Sequence, residues 1–264
     1  MKFSIITPSF NQGVFIEQSV GSVIAQGYDD FEHIVMDNCS TDETPRVLKQ
    51  YRSLKVTTQP DKGQSDALNK GFRQASGDII GWLNADDLYL PGCFKTVSDF
   101  FTANPSCDIV YGHYRLIDEQ GRLLSYRKEL GFDLFMLKYL HILYIPSTTV
   151  FFRRRIIDDG NFLNINYHYA MDYEFFLRLA LKGYKFFHIP VFLADFRTHA
   201  ASKSQKQTLA QKQEMARALF QQDLWLGRFH GPWRTGMRLG LMTAARLKRY
   251  ILKFVSGAYF CGGK

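Results

Sequence analysis

No run of apolar residues in the chain approaches the 18 or so that a membrane-spanning helix requires, which argues against an embedded bundle. Cysteine is sparse. Cys39, Cys93, Cys107 and Cys261 form no CxxC pair and stand at no close Cys/His spacing, so neither a zinc knuckle nor a disulfide scaffold is expected, and a reducing cytoplasm suits the chain. The apolar stretch ahead of Thr7 and Pro8 is too short for a secretory signal, and nothing targets the chain for export. There is no GxGxxG after the first predicted strand and no GxxxxGKS/T anywhere, which removes the main support for a dinucleotide oxidoreductase or a P-loop enzyme. No internal repeat or low-complexity linker is present. What remains is 264 residues, 46% hydrophobic and 22% charged, enough for one large core or a main domain with an appendage. Aromatic residues are dense at 15%, which serves a filled core and the stacking of flat ligands equally.

The formal charge of +8 is unevenly spread. Residues 205–264 hold eleven Lys/Arg against Glu214 and Asp223, a net of +9, and residues 1–204 hold 22 basic and 23 acidic groups, a net of −1. The basicity therefore belongs to a C-terminal appendage, and we divide the chain into a main domain over 1–204 and a basic amphipathic helical tail over 205–264. Nucleic acid is not an expected partner, because the domain that would position it is neutral to acidic.

In the first half, short β-rich apolar runs alternate with amphipathic stretches, the pattern of parallel strands joined by helices. Strands are predicted at Phe3–Thr7, Phe31–Asp37, Lys55–Gln59, Asp78–Leu83 and Asp108–Tyr111, and helices at Val14–Gln26, Thr44–Tyr51, Ser65–Ala75 and Pro91–Ala103. The expectation is an open, mostly parallel, Rossmann-like α/β sheet with helices on both faces. Further on, Tyr114–Arg127 reads as a hairpin, Phe132–Leu140 as a helix, Ser147–Arg153 as β, Met171–Leu181 as a helix, and Tyr184–Phe196 as two strands around Pro190. The tail reads as helices over Gln205–Leu226 and Pro232–Val255, hinged at Gly231-Pro232.

Ligands of such sheets bind beyond the carboxyl ends of the strands. Those ends are polar and acidic here: Thr7-Pro8-Ser9-Phe10-Asn11, Asp37-Asn38-Cys39-Ser40-Thr41-Asp42, Asp61-Lys62-Gly63-Gln64-Ser65-Asp66 and Asn84-Ala85-Asp86-Asp87. With Met171-Asp172-Tyr173-Glu174 and the residues after it, these blocks resemble, in order and spacing, the family 2 glycosyltransferases, inverting nucleotide-sugar enzymes of the GT-A fold. The resemblance runs over residues 3–199 and leaves out the basic tail. The QxxRW sequence and spanning helices of the family's processive polymerases are missing, so the resemblance implies transfer of one sugar.

It also implies roles. Asp37 would accept the imide N–H of a uracil or thymine ring, a bond that a charged acceptor makes stronger, with Thr7, Pro8 and Ser9 lining the same pocket. Asp42 reads as a turn or cap. Gly63, Gln64 and Ser65 open a helix and can bring backbone N–H groups to the nucleotide. Asn84-Ala85-Asp86-Asp87 corresponds to the family's DXD-type motif, in which a carboxylate holds Mn²⁺ or Mg²⁺ against the diphosphate. Asn84 replaces the usual first Asp, which makes Asp86 the leading metal ligand, Asp87 the second, and His199 a further one. Asp172 matches the base that takes the acceptor hydroxyl's proton as it attacks the anomeric carbon. Glu174, two residues on, points elsewhere around the helix and is the weaker choice.

The function implied is transfer of a single sugar from a nucleotide-sugar, a UDP-sugar by expectation, to a glycan or lipid-linked glycan acceptor in cell-surface polysaccharide synthesis. A sugar-phosphate nucleotidyltransferase would show a GxGTR-like loop where Pro8-Ser9-Phe10-Asn11 stands, and a non-catalytic binding protein would lack Asp86 or Asp172. In the tail, Trp233, Met237, Leu241, Ala244, Leu247 and Ile251 recur at helical spacing between basic residues. That stripe either lies on an anionic membrane or packs on the domain. The first reading places the enzyme at the inner face of the cytoplasmic membrane.

Overall fold

The computed structural model describes residues 1–140, 142–200, 208–222 and 232–256. The chain runs β1 (Phe3–Ser9), α1 (Ile16–Ile24), β2 (Phe31–Asp37), α2 (Thr44–Leu48), β3 (Leu54–Thr58), α3 (Gln64–Gln74), β4 (Ile79–Trp82), β5 (Leu88–Tyr89), α4 (Cys93–Ala103), β6 (Ile109–Ile117), β7 (Leu123–Arg127), α5 (Leu134–Tyr139), β8 (Phe151–Arg153), α6 (Arg155–Asp158), α7 (Met171–Leu181), β9 (Phe186–Arg197), α8 (Thr208–Gln222) and α9 (Pro232–Val255).

The strands form one sheet in the order β3-β2-β1-β4-β8-β6-β9-β5, with β7 on β6. β3, β2, β1 and β4 are parallel neighbours, as the βα alternation predicts. β8 then enters antiparallel between β4 and β6, and β6 pairs parallel with β9. Alternation along β1 shows why the sheet is covered on both sides: Phe3 and Ile5 pack into the cluster under α4, and Ile6 packs into the one under α3 and α7. The second layer is largely aromatic, with Trp82 stacked on Phe176 at a centroid distance of 6.0 Å. α3 reaches the sheet closely because Gly71 has no side chain. A Cβ there would meet Ile6 and stand 3.2 Å from Met36 Cγ, so any larger residue pushes α3, and the loop before it, off the sheet.

Two readings of the sequence are corrected. Tyr184–Phe196 is one strand and not two. Pro190 and Val191 fall where the β6–β9 register slips between Gly112↔Ile189 and His113↔Phe192, so the proline sits in a bulge, where its missing N–H leaves no ladder bond unmade. The apolar stripe of the tail is also split. Leu241 packs against the domain core, and Ala245 is buried in it, whereas Leu247 and Ile251 face outward. α8 likewise contributes Met215, Ala218 and Leu219 to the core, so much of the tail lies on the main domain. The predicted hinge at Gly231 and the side chain of Trp233 lie outside the described residues.

Candidate active site

The carboxyl ends of β1, β2 and β4 open on a cavity of about 440 Å³, closed on the far side by the start of α7 and the end of β9. Its wall includes Pro8, Ser9, Gly63, Gln64, Asn84, Asp86, Asp87, Asp172 and His199, drawn from five separate blocks of sequence. The loop before α3 is shaped by its own polar groups. Asn38 Oδ1 accepts from Asp61 N at 2.9 Å, and Asp61 Oδ1 accepts from Gly63 N at 2.7 Å. Gly63 itself has φ +109°, a conformation that side chains disfavour.

Asn84 and Asp87 form a chain of bonds along the cavity wall. Gln64 Nε2 donates to Asn84 Oδ1 at 2.8 Å, and Asn84 Nδ2 donates to Asp87 Oδ2 at 2.9 Å. An aspartate at 84 could accept both ways but donate to neither, so the amide fits a position between an amide donor and a carboxylate. Asp87 is 1% exposed. Its Oδ2 also accepts from Thr148 Oγ1 at 2.7 Å, and its Oδ1 from the Arg197 amide at 3.0 Å. Burial, helped by the neighbouring Asp86 carboxylate, pushes Asp87 up to about 8.

Asp86 and His199 are brought together: Oδ2 and Nε2 lie 3.0 Å apart, with the imidazole against the Phe15 ring at 4.7 Å. Arg197 holds this turn from behind. Fully buried, it donates from Nε to the Asp86 carbonyl at 2.9 Å, from Nη1 to the Glu119 carbonyl at 2.9 Å and from Nη2 to Gln18 Oε1 at 2.7 Å. Among the described residues no three His, Cys, Asp or Glu side chains converge as a ready-made metal cage.

Asp172 stands in the first turn of α7, its Oδ1 accepting from the Tyr173 amide at 2.8 Å. Burial, with a smaller contribution from the charge of Glu214, raises it to about 6. Glu174 is turned away into the protein, where its carboxylate pairs with Arg178 at 2.7 Å.

Three of the residues that the sequence assigns to nucleotide binding stand behind the cavity wall. Thr7 Oγ1 pairs with His33 Nε2 at 2.8 Å, and burial pushes that histidine down to about 3, so it is neutral. Ser65 Oγ donates to the Tyr167 carbonyl at 3.2 Å. Asp37 is 1% exposed and its two oxygens accept from Ser40 Oγ at 2.5 Å and Ser40 N at 3.0 Å. Ser9 is different. It lines the cavity, yet its buried Oγ has no partner among the described residues, which a bound ligand would supply.

A model of the family described as "Glycosyl transferase family 2" matches residues 4–160. The chain belongs to glycosyl transferase family 2. Similar proteins include an uncharacterised glycosyltransferase of Rickettsia conorii, 35% identical over 129 residues, which cover 47% of this chain and 21% of the relative. The chain thus spans about a fifth of that relative's length. A putative teichuronic acid biosynthesis glycosyltransferase of Bacillus subtilis, TuaG, is 28% identical over 84% of this chain and 91% of its own. Among solved structures, S. aureus TarS in complex with UDP-GlcNAc superposes with a TM-score of 0.65 at 19% identity, covering 84% of this chain and 68% of that one. A mannosyltransferase from Pyrobaculum calidifontis in complex with GDP-Man and Mn²⁺ gives a TM-score of 0.66 at 17% identity, covering 100% and 76%. The fold is accordingly the GT-A type.

The family match ends before Asp172, His199 and everything that α8 adds to the site. Sequence reading did not single out Arg197, Gln211 or Glu214. Arg197 stands two residues before a named histidine, and its signal is an arginine at the end of an apolar strand. The α8 residues carried no signal beyond helical spacing.

Proposed function

We propose that this family 2 glycosyltransferase is an inverting, single-addition enzyme that moves a sugar from a UDP-sugar to a hydroxyl of a glycan or lipid-linked glycan in cell-surface polysaccharide synthesis. The observation that carries this reading is the opening of Asp172, Asp86 and His199 onto one cavity. Asp172 is the base: a carboxylate raised to about 6 is still ionised at neutral pH and is a better proton acceptor than an ordinary one. Ser9, Gly63 and Gln64 suit the nucleotide, and Asp37 serves its base end through the loop that it holds with Ser40. The donor of TarS, UDP-GlcNAc, supports the choice of nucleotide-sugar.

The donor set fits a divalent cation. One carboxylate and one imidazole leave most positions to water and a diphosphate, the usual arrangement for Mg²⁺ and Mn²⁺ at phosphate sites, and the imidazole favours Mn²⁺. When bound, the cation would neutralise charge developing on the departing diphosphate. Asp86 and His199 would hold it, Arg197 fixes the backbone of their turn, and Asp87 acts as a buried brace between Asn84, Thr148 and Arg197. Screening hydrolysis of UDP-sugars, GDP-sugars and dTDP-sugars with Mn²⁺ tests the reading. Release of UDP from at least one UDP-sugar is expected, and release from none of the donors, with no nucleotide binding by calorimetry, would defeat it.

No helix among the described residues is long and apolar enough to cross a membrane. α9 nevertheless presents Leu239, Leu247 and Ile251, which are 63%, 60% and 54% exposed, on the side away from Ala245. The helix carries six Lys/Arg and no acid. This face suits an anionic bilayer, with about 1 kcal/mol for each basic residue that reaches it. Replacing Leu239, Leu247 and Ile251 together by Ser should abolish sedimentation with phosphatidylglycerol vesicles at low salt and leave nucleotide affinity unchanged. Undiminished sedimentation would exclude this face.

A further inference from the structure

The segment that delivers Asp172 is held by α8, in the tail that the family match does not reach. Glu214 is the centre of this hold. Its Oε2 accepts from the amides of Tyr169 at 2.8 Å and Ala170 at 2.9 Å, and its carboxylate oxygens both lie 3.1 Å from the amide of His168. Three successive N–H groups pointing at one carboxylate form an anion-binding concavity, built here two residues before Asp172. Neighbouring α8 residues at three- and four-residue spacing extend the grip along the same loop. Gln211 Nε2 donates to the Tyr169 carbonyl at 3.2 Å, Arg217 Nη2 donates to the Asn166 carbonyl at 2.7 Å, and Gln221 Oε1 accepts from Tyr167 Oη at 2.8 Å. Arg217 also lies over the Tyr167 ring at 4.4 Å. α7 has no side-chain cap of its own, so Ala170, where the helix begins, takes its anchor from α8.

We infer that Glu214 is a positioning residue, which fixes the approach to α7 so that the Asp172 carboxylate meets the acceptor hydroxyl, and that α8 is thereby a working part of the transferase. This rests on the reading of Asp172 as the base. A carboxylate suits position 214 because it accepts from several amides at once without offering a competing donor. Its loss lets the loop spread, while Asn84, Asp86 and Asp87 keep their own bonds to Gln64, His199, Thr148 and Arg197.

The test compares Glu214→Ala, Glu214→Gln and Asp172→Asn in the full chain, with UDP release from UDP-GlcNAc, water serving as the acceptor, as the activity and calorimetric binding of UDP with Mn²⁺ as the affinity. Glu214→Ala should lower kcat by about 10- to 100-fold and leave UDP affinity within about twofold. Glu214→Gln, which keeps an acceptor oxygen, should recover most of the loss. If Glu214→Ala does not fold, Arg217→Ala loosens the same loop at Asn166 and should show the same split at smaller amplitude. Wild-type kcat in the folded Ala variant, or an equal loss of UDP affinity and kcat, would overturn the inference. Should Asp172→Asn itself turn over normally, the base assignment fails, and that outcome is distinguishable because it does not depend on any change at 214.

Discussion

Asp172→Asn should lower sugar transfer by about 10²- to 10⁴-fold and leave nucleotide-sugar affinity near that of the parent enzyme. The amide keeps the size of the side chain and can still accept from the Tyr173 amide, so the first turn of α7 is preserved. What is lost is the ability to take a proton. The pH dependence makes the same case independently. Burial raises Asp172 to about 6, so below that pH the carboxyl is protonated and cannot act as a base, and above it the carboxylate is available. The rate should therefore rise with pH through about 6 and level off toward neutrality, and this limb should vanish from the residual activity of Asp172→Asn. A limb near the ordinary Asp value, or near-normal transfer by the variant, would move the role elsewhere. Glu174 is poorly suited to take it, since its carboxylate is committed to Arg178 inside the protein.

Asp86→Ala should weaken nucleotide-sugar binding by about 10²-fold in the presence of Mn²⁺, and EDTA should abolish turnover of the parent enzyme. The metal-free arm decides between explanations. Without a cation Asp86 stands as a bare negative charge beside a diphosphate, so in EDTA its removal should leave binding unchanged or improve it. A reversal of sign between the two conditions is the signature of a carboxylate that acts through a cation. His199→Ala should give a smaller loss in the same direction, because imidazole brings no charge of its own. Equal affinity of the parent for the nucleotide-sugar with and without Mn²⁺ would defeat the assignment.

Much of this was legible from side-chain pattern. β1, β2 and β4 announce themselves as short apolar runs, and the turns after them by acids and amides. That Asp86 and His199 face one cavity follows from strand ends lying on one edge of the sheet, and Asp172 joins them from the start of α7. Other features depend on partners too distant for any local pattern. Asp86 and Asp87 are chemically identical neighbours, and it is Thr148 and the Arg197 amide, both far along the chain, that with Asn84 turn Asp87 inward. The direction of β8 is not encoded in Phe151-Phe152-Arg153, and β5 is two residues long, too short to alternate. α9 is apolar on two sides, so helical spacing could not tell which of Leu241 and Leu247 meets the protein.

The antiparallel entry of β8 has a consequence for the chain as it is made. β4 is flanked by β1 on one side, available as soon as Trp82 has emerged, but its other flank waits for Phe151. That interval is roughly 70 residues, about 4 to 14 s at ordinary rates of translation. During it the nascent polypeptide exposes an unpaired row of amides and carbonyls on Ile79-Ile80-Gly81-Trp82, an apolar template for the wrong neighbour. Fragments ending between residues 90 and 150 should accordingly self-associate more readily than the full chain, which turbidity of the two at equal concentration would show.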